Sequence, residues 1–301
     1  MTAHETRAFH SFKALLILLV LSMLTSETAV PMLQSVHGHA DVHAQTASCF
    51  WENYYSDGTG DNPLSDSPSS FIQFCSPFMH QGAKIVEFGC GNGRDARWFA
   101  RQNMQYLGLD LSMAAVERCR RRFGAGQIKN CEFMTCDFAG PELLMDRSGG
   151  FDLVYSRFTM HSVTDDQEAV AFANAFRSLK PGGLFMVEAR STRDPRCGVG
   201  VRVSHNAYIE THYRRFLELD TAIARLEAAG FEVRSACEEL RAAMFLSDKA
   251  AVVRIIALKP PQAPRVSNSD NVASTGEETV RNEATRLSVS GIENRPLPQR
   301  T

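Results

Sequence analysis

The chain has 301 residues, of which 44% are hydrophobic and 22% are charged, so it can form one large globular domain or two small ones. Its formal net charge at pH 7 is -2, and this lack of a basic excess argues against a nucleic acid as the partner. The eight cysteines contain no C-x-x-C pair and no zinc spacing, so we expect reduced thiols and no metal site.

The N-terminal segment has the layout of a targeting sequence. Ala14 to Leu24 is a compact apolar run that follows Arg7 and Lys13. A basic start before a short apolar stretch is typical of a secretory signal or a signal anchor, although the run is shorter than the ~20 residues that cross a bilayer. We therefore predict secretory-pathway targeting or membrane anchoring. A cytoplasmic location is the alternative, if the start of the chain is misplaced.

Polar segments separate a central domain from both ends. Residues 34–46 are small, polar and rich in histidine, and we interpret them as a linker rather than a metal site. From Pro260 onwards, prolines and mixed polar residues without apolar periodicity predict a disordered tail. The predicted limits are therefore 1–46 for the targeting segment and linker, 47–260 for the central domain and 261–301 for the tail.

Strands and helices alternate within the central domain. In chain order, the patterns predict strand Lys84–Phe88, helix Asp95–Arg101, strand Tyr106–Asp110, helix Met113–Phe123, strands Cys131–Cys136 and Phe151–Tyr155, helix Asp166–Leu179, strand Leu184–Glu188, helix Thr221–Ala229, and strands Phe231–Ala236 and Ala251–Leu258. Strands separated by helices pair in parallel through right-handed crossovers, whereas the last two strands, with no helix between them, pair antiparallel. The fold class is therefore α/β, a doubly wound Rossmann-like seven-stranded sheet, mostly parallel with a terminal antiparallel hairpin.

A glycine-rich loop directly follows the first predicted strand. Gly89, Gly91 and Gly93 let the backbone turn tightly and approach a ligand, and the helix that follows presents free amides at its N-terminus. Glu87 places a carboxylate under this loop, where it could meet a cationic amino-acid moiety. Dinucleotide enzymes use a related loop, so the loop alone does not identify the ligand.

Acidic residues follow the next two strands. Asp110 ends the second strand, where a carboxylate can accept hydrogen bonds from both hydroxyls of a ribose. Asp137 follows the third strand and offers an acceptor for an exocyclic amine, and Phe138 offers a wall for a purine. The ligand indicated is therefore a nucleoside joined to an amino acid.

These motifs occur in the order found in a known family. With the turn from Leu179 to Gly183, they make the segment from about 50 to 259 resemble class I S-adenosylmethionine-dependent methyltransferases of the small-molecule type. The resemblance implies S-adenosylmethionine as cofactor, with Gly89, Gly91 and Gly93 in the loop, Asp110 on the ribose, and Asp137 with Phe138 on the adenine. The Asn/Asp-Pro-Pro-Tyr/Phe signature of amino- and nucleobase-methylating enzymes is absent after the fourth strand, which disfavours DNA methylation.

Candidate acceptor residues follow the fourth and fifth strands. Methyl transfer needs in-line attack on the methyl group, and a base helps where the acceptor is a hydroxyl or a protonated amine. We predict His161 as that base, with Arg157 as a second catalytic residue. Arg190, Tyr213 and Arg214 are predicted to bind substrate, because guanidinium groups favour carboxylate or phosphate.

The sequence therefore predicts an enzyme that transfers a methyl group to a small acceptor, with an anionic acceptor as one candidate. The expected partners are a small molecule and, through the N-terminal apolar segment, a membrane. No nucleic acid is expected as a partner. One alternative is a nicotinamide-dependent oxidoreductase on the same sheet, although no Tyr-x-x-x-Lys pair follows the fourth strand. The other is a non-catalytic module that keeps a cofactor pocket.

Overall fold

The computed structural model describes residues 48–58, 67–124, 128–141, 143, 148–245 and 248–261. The helices are α1 (48–56), α2 (Ser70–Cys75), α3 (Ala96–Arg101), α4 (Met113–Phe123), α5 (Asp165–Ser178) and α6 (Leu219–Ala228). The strands are β1 (Lys84–Phe88), β2 (Gln105–Asp110), β3 (Cys131–Thr135), β4 (Phe151–Arg157), β5 (Leu179–Arg190), β6 (Val201–Ser204), β7 (Ala207–Ile209), β8 (Tyr213–Arg215), β9 (Glu232–Phe245) and β10 (Asp248–Leu258).

A seven-stranded sheet forms the centre of the fold. Its strand order is β3-β2-β1-β4-β5-β10-β9. The first five strands of this order pair in parallel, and β10 pairs antiparallel with both β5 and β9. The predicted fold class, a mostly parallel Rossmann-like sheet with a terminal antiparallel hairpin, is confirmed. Parallel neighbours need crossover helices, and these cover the sheet.

Both faces of the sheet are buried. Neighbouring residues of a strand point to opposite faces, so Val154 packs with Phe172 and Phe185 in one apolar cluster, whereas Tyr155 and Met186 belong to the other. Each large apolar side chain buried in this way contributes about 1.5–3 kcal/mol. Because two-sided burial leaves little room for polar side chains in the middle of the strands, the site must be built at their ends.

Capping residues define where two helices begin. The Ser112 hydroxyl accepts the backbone N–H of Ala115 at 3.1 Å at the start of α4. Thr164 and Gln167 form a reciprocal capping box at the start of α5. These caps satisfy backbone donors that have no partner inside the helix, which fixes the helices at the carboxyl ends of β2 and β4.

The structure differs from the predicted elements at three places. The Pro181-Gly182-Gly183 turn does not precede the fifth strand but bulges out of β5, which begins at Leu179. Strand β9 continues to Phe245 because it pairs with β10 along that length. Between the predicted strand Leu184–Glu188 and the predicted helix Thr221–Ala229, where the sequence predicted no element, residues 201–215 fold into a small antiparallel sheet, β6-β7-β8. These features depend on pairing between segments, which local pattern does not show.

The prediction of secretory targeting or membrane anchoring is contradicted. No helix within the described part of the chain is long and apolar enough to cross a membrane. The apolar run Ala14 to Leu24, the predicted linker and residues 262–301 lie outside the described residues. The predicted domain limits at 46/47 and 260/261 stay predictions.

Candidate active site

A cavity of about 160 Å³ opens at the carboxyl ends of β1, β2, β3 and β4. The strand order reverses between β1 and β4, and in open α/β sheets such a switch point is where ligands bind. The cavity is lined by Ser48, Trp51, Tyr55, Gly89, Asp110, Leu111, Asp137, Phe138, Phe158, Thr159, Ser162, Val163 and Gln167. Four of the predicted cofactor residues, Gly89, Asp110, Asp137 and Phe138, are therefore brought together around one space.

The glycine loop approaches its neighbours too closely for any side chain. A Cβ at Gly89 would lie 2.5 Å from Cγ2 of Thr159, and one at Gly91 would lie 2.4 Å from the Tyr55 hydroxyl. At Gly93 the nearest atoms belong to Phe123 and Cys119, at 3.0 and 3.1 Å. All three glycines have positive φ, between 52° and 72°. The loop can follow this path only with glycine at these positions.

Asp110 is the acid most firmly held at the cavity. Its Oδ2 accepts the backbone N–H of Gly91 at 2.8 Å, and its Oδ1 accepts that of Ser112 at 2.9 Å. Burial raises the pKa of this carboxyl, and the two backbone hydrogen bonds oppose that rise. A carboxylate has about four acceptor positions, so Asp110 keeps acceptor capacity for a ligand hydroxyl.

Asp137 and Phe138 form another part of the cavity wall. Oδ1 of Asp137 accepts the backbone N–H of Ala139 at 2.9 Å, which fixes the carboxylate in a tight turn after β3. The ring of Phe138 is buried and stacks on Phe88, with centroids 5.5 Å apart. This pair therefore offers a fixed acceptor beside an apolar wall.

Glu87 does not line the cavity. Its Oε2 accepts the Tyr106 hydroxyl at 2.5 Å, and burial raises the pKa of Glu87 well above its usual value. Its neighbour Phe88 points to the opposite face of the sheet, among the apolar residues beside Phe138. Direct contact of Glu87 with the cofactor stays a prediction, and the structure shows it supporting β1 and β2 beneath the loop.

Helix α1 covers one side of the cavity. Trp51 and Tyr55 line it, and the carboxylate of Glu52 accepts the Ser112 hydroxyl at 2.7 Å and the backbone N–H of Ala114 at 3.2 Å. Glu52 thereby attaches α1 to the N-terminus of α4, where a negative charge is favourable. Aromatic side chains of this helix lie against the glycine loop, through Tyr55 beside Gly91, and against His212, through the stacked ring of Phe50.

Phe158, directly after β4, lines the cavity and also contacts arginines that do not line it. It has φ +54°, a conformation that costs a non-glycine residue roughly 1–3 kcal/mol. Its ring centroid lies 4.9 Å from the Arg157 guanidinium, 5.4 Å from that of Arg190 and 5.6 Å from the His161 ring. Arg157 itself lies behind this ring, 3.0 Å from the Glu188 carboxylate, and does not line the cavity.

His161 is buried against the Phe158 ring and does not itself line the cavity. Its Nδ1 has no hydrogen-bond partner among the described residues. Burial, together with the nearby charges of Arg190 and Arg214, lowers the pKa of His161 well below its usual value. The imidazole is therefore neutral at pH 7. Catalytic roles for His161 and Arg157 stay predictions.

Tyr213 and Arg214, two of the predicted substrate residues, point to opposite faces of β8 because neighbouring side chains alternate along a strand. Arg214 donates to Nε2 of His212 at 3.0 Å, and His212 stacks on Phe50 at 4.2 Å and meets Trp51 at 5.1 Å. Arg214 itself does not line the cavity, but His212 links it to Trp51, which does. Tyr213 points the other way and is buried near Arg215, so the structure does not bring it to the cavity.

Several residues at or near the cavity were not among the predicted site residues, including Phe158, Thr159, His212 and Arg215. Arg215 fixes the turn that carries His161, donating to the carbonyls of Met160 and Val163 and pairing with Glu168. The position of Phe158 and Thr159 directly after β4 was the available signal, because ligands bind at the ends of parallel strands. His212 and Arg215 lie in the same run as the predicted Tyr213 and Arg214, and this concentration of basic residues was the available signal for them. The described residues contain no group of three or more histidine, cysteine or acidic side chains arranged for a metal.

Comparison with known proteins identifies the domain. A family model described as a methyltransferase domain matches residues 85–183. Trans-aconitate 2-methyltransferase of Deinococcus radiodurans is 31% identical over 37% of this chain and 40% of that protein. The mRNA cap guanine-N(7) methyltransferase of Candida glabrata is 30% identical over 36% of this chain and 28% of that protein. The chain therefore spans less than half the length of these curated relatives.

A solved structure extends the comparison to the whole sheet. Burkholderia thailandensis 1,6-didemethyltoxoflavin-N1-methyltransferase, with bound 1,6-didemethyltoxoflavin and S-adenosylhomocysteine, is 16% identical and superposes with a TM-score of 0.54. The match covers 77% of this chain and 93% of that chain, and it shows the fold. The family match identifies residues 85–183 as a methyltransferase domain, and the strand order and the glycine loop agree with the class I S-adenosylmethionine-dependent family, whose cofactor is S-adenosylmethionine.

Proposed function

We propose that the protein transfers the methyl group of S-adenosylmethionine to a small anionic acceptor. One observation carries the proposal. The cavity has Asp110 and Asp137 on one side, and on the other the ring of Phe158 separates it from Arg190 and His161. A nucleoside site and a cationic region thus share one wall, and methyl transfer needs donor and acceptor that close together.

The cofactor side is assigned from its contacts. Asp110 would accept the ribose hydroxyls, and Asp137 with Phe138 would hold the adenine. Gly89 would let the loop backbone approach the cofactor, since a Cβ there would already collide with Thr159. Glu87, hydrogen-bonded to Tyr106, would act indirectly by supporting the strands under the loop.

The acceptor side is assigned from charge. Arg190 and Arg214 are buried near His161 and would bind the acceptor's anionic group. The relative named for trans-aconitate, an organic anion, agrees with this assignment. The relative named for the mRNA cap makes a nucleic acid the rival acceptor. The net charge of -2 and the small cavity favour a small molecule.

The remaining predicted residues take supporting roles in this proposal. Arg157, paired with Glu188 behind Phe158, would hold the ring that forms the shared wall. Tyr213 would support β8 without touching the acceptor, and Gly91 and Gly93 would shape the loop. The unit that carries out the reaction is 47–260, and no nucleic acid takes part.

Thermal unfolding of the full chain with added ligand tests the cofactor assignment. S-adenosylmethionine or S-adenosylhomocysteine at ~100 times its Kd should stabilise the protein by about 2.7 kcal/mol. For a domain of this size the midpoint rises by roughly 5–10 °C. A rise with NAD alone would instead support the oxidoreductase alternative.

Radioactive methyl transfer tests the reaction itself. The full chain is incubated with methyl-labelled S-adenosylmethionine and a panel of small organic acids, amines and capped RNA. Label in an organic acid is the expected result, and label only in RNA would refute the small-molecule assignment. Asp110→Ala serves as the inactive control, because it removes the proposed ribose contact.

A further inference from the structure

Among the residues that the structure describes, none that lines the acceptor side of the cavity can act as a general base. The ionisable side chains that line it are Tyr55, Asp110 and Asp137, and all three belong to the cofactor side. Asp110 already accepts two backbone N–H groups, and burial raises the pKa of Tyr55 well above its usual value. Among the described residues, this leaves His161, whose ring contacts the cavity residue Phe158, as the candidate base.

His161 is poorly placed to take up a proton. The charged or titratable groups that face it are Arg190 at the end of β5, His212 before β8, and Arg214 and Arg215 on β8. Each of them opposes a positive charge on the imidazole. No hydrogen bond or ion pair among the described residues joins His161 to a carboxylate that would stabilise the charged form. A proton moved to this ring would therefore have no carboxylate partner of its own and would be opposed by the neighbouring arginine charges, most of which are already paired with other carboxylates.

The same arginines would favour binding of an acceptor group that is already negatively charged. Nε of Arg214 is buried without a hydrogen-bond partner, and the Glu210 carboxylate lies 3.7 Å from this guanidinium, beyond hydrogen-bond range. Arg190 pairs with Asp194 at 2.8 Å, which holds its guanidinium in place beside the Phe158 ring. An incoming carboxylate would satisfy Arg214 and offset the charge around His161.

A carboxylate held by arginine is a weakened nucleophile, because the guanidinium stabilises the charge that has to attack. The anionic group bound at Arg190 and Arg214 is therefore not the group that reacts. The reacting group has to lie on the cavity side of Phe158 and has to be nucleophilic without losing a proton. A second carboxylate meets both requirements at neutral pH.

We propose that the acceptor is a small diacid, with one carboxylate bound at Arg190 and Arg214 and the other methylated on oxygen. This inference rests on the proposed function. The free carboxylate oxygen attacks the methyl carbon with a lone pair, and the carbon–sulfur bond breaks with its electron pair staying on sulfur. The products are a methyl ester and a neutral thioether. No proton moves, so no base is required, and His161 serves as a neutral neighbour of the bound anion.

Matched acceptors test which atom is methylated. Glutarate, γ-hydroxybutyrate and γ-aminobutyrate share one carboxylate and differ in the group that would react. The full chain is given methyl-labelled S-adenosylmethionine with each of them, with longer, shorter and unsaturated diacids, and with butyrate as the monoacid control. The inference predicts label in diacids alone, and alkali should release it as methanol because esters hydrolyse. Alkali-stable label in the hydroxy or amino acid, or no label in any diacid, overturns the inference.

Binding measurements separate this inference from the proposed function. Calorimetry of S-adenosylhomocysteine with the full chain tests the cofactor site, and its failure would count against the proposed function. Calorimetry of the diacid that accepted the methyl label, added unlabelled to protein that already holds S-adenosylhomocysteine, tests the anion site. Arg214→Met should weaken this second binding by about 10- to 100-fold and leave the first unchanged. Arg202→Met, an exposed arginine of β6 that bonds a backbone carbonyl, is the matched control.

His161→Gln distinguishes a base from a neutral neighbour. Loss of a general base lowers kcat by about 10²–10⁴-fold. We expect a fall of less than about tenfold, and a kcat that stays flat above the pKa of the diacid. Circular dichroism and the melting midpoint confirm that the variant is folded. A loss above a hundredfold in folded protein overturns the inference.

Discussion

Gly89→Ala is the sharpest test of the site's geometry. The substitution adds one methyl group at a position with φ +72°, where that methyl would lie 2.5 Å from Cγ2 and 2.6 Å from Oγ1 of Thr159. Thr159 lines the cavity, and its hydroxyl donates to the Phe88 carbonyl at 3.0 Å. The added methyl must therefore displace a side chain that is itself held in place.

The magnitude follows from two costs. A non-glycine residue in the left-handed region loses about 1–2 kcal/mol. Forcing an extra carbon into a packed site adds about 1–3 kcal/mol. Gly89→Ala should therefore lower the free energy of unfolding by about 2–5 kcal/mol. It should also weaken S-adenosylhomocysteine binding at least tenfold, because the displaced Thr159 side chain moves into the cavity.

Gly82→Ala is the matched control. Gly82 has φ +77°, but a Cβ there would meet no atom within 4 Å, so only the backbone cost of about 1–2 kcal/mol applies. Urea unfolding measures both variants, and calorimetry measures ligand binding. Thr159→Ala removes both colliding atoms, so the double variant Gly89→Ala, Thr159→Ala should lose less stability than the sum of the single variants. Equal effects of Gly82→Ala and Gly89→Ala, or additive effects in the double variant, would refute the reasoning.

Three further variants address other parts of the site. Glu87→Gln should remove a pH dependence of stability. Burial raises the folded-state pKa of Glu87, so the stability of the wild type falls as the pH rises above the usual glutamate pKa. In the variant, whose amide oxygen still accepts the Tyr106 hydroxyl, the melting midpoint should change less between pH 5 and 8. Asp110→Asn should weaken S-adenosylhomocysteine binding by about 10- to 100-fold by calorimetry, since one charged acceptor becomes a donor; unchanged affinity would exclude Asp110 as the ribose ligand. Phe50→Ala should raise the acceptor KM by about 2- to 10-fold through loss of its stack on His212, and an effect on cofactor Kd alone would contradict that route.

The fold could be predicted from the sequence because its determinants are local. Apolar runs such as Lys84–Phe88 mark buried parallel strands, and the helices between them leave a right-handed crossover as the normal connection. The glycine loop and Asp110 could also be predicted as site residues, because the loop directly follows one predicted strand and Asp110 ends the next. The N-terminal prediction had no such support, and the membrane anchor inferred from it is contradicted.

Side-chain direction was settled only in three dimensions. Period-two alternation shows that Glu87 and Phe88, or Tyr213 and Arg214, point to opposite faces, but it does not show which face borders the cavity. That choice depends on what packs against each face. The structure turns Phe88 towards the cavity wall through Phe138, and Glu87 towards Tyr106.

The chain by itself determined the sheet, the loop and the acids at the strand ends, because each is encoded within a few neighbouring residues. The tertiary structure alone decided the environment of His161. Its neighbours Arg190, His212 and Arg214 come from strands and turns far along the chain, and the position after β4 gave no sign of them. A charge from a distant segment changes a pKa only where folding brings it close, so the sequence could not show that the histidine predicted as a base lies among buried arginines.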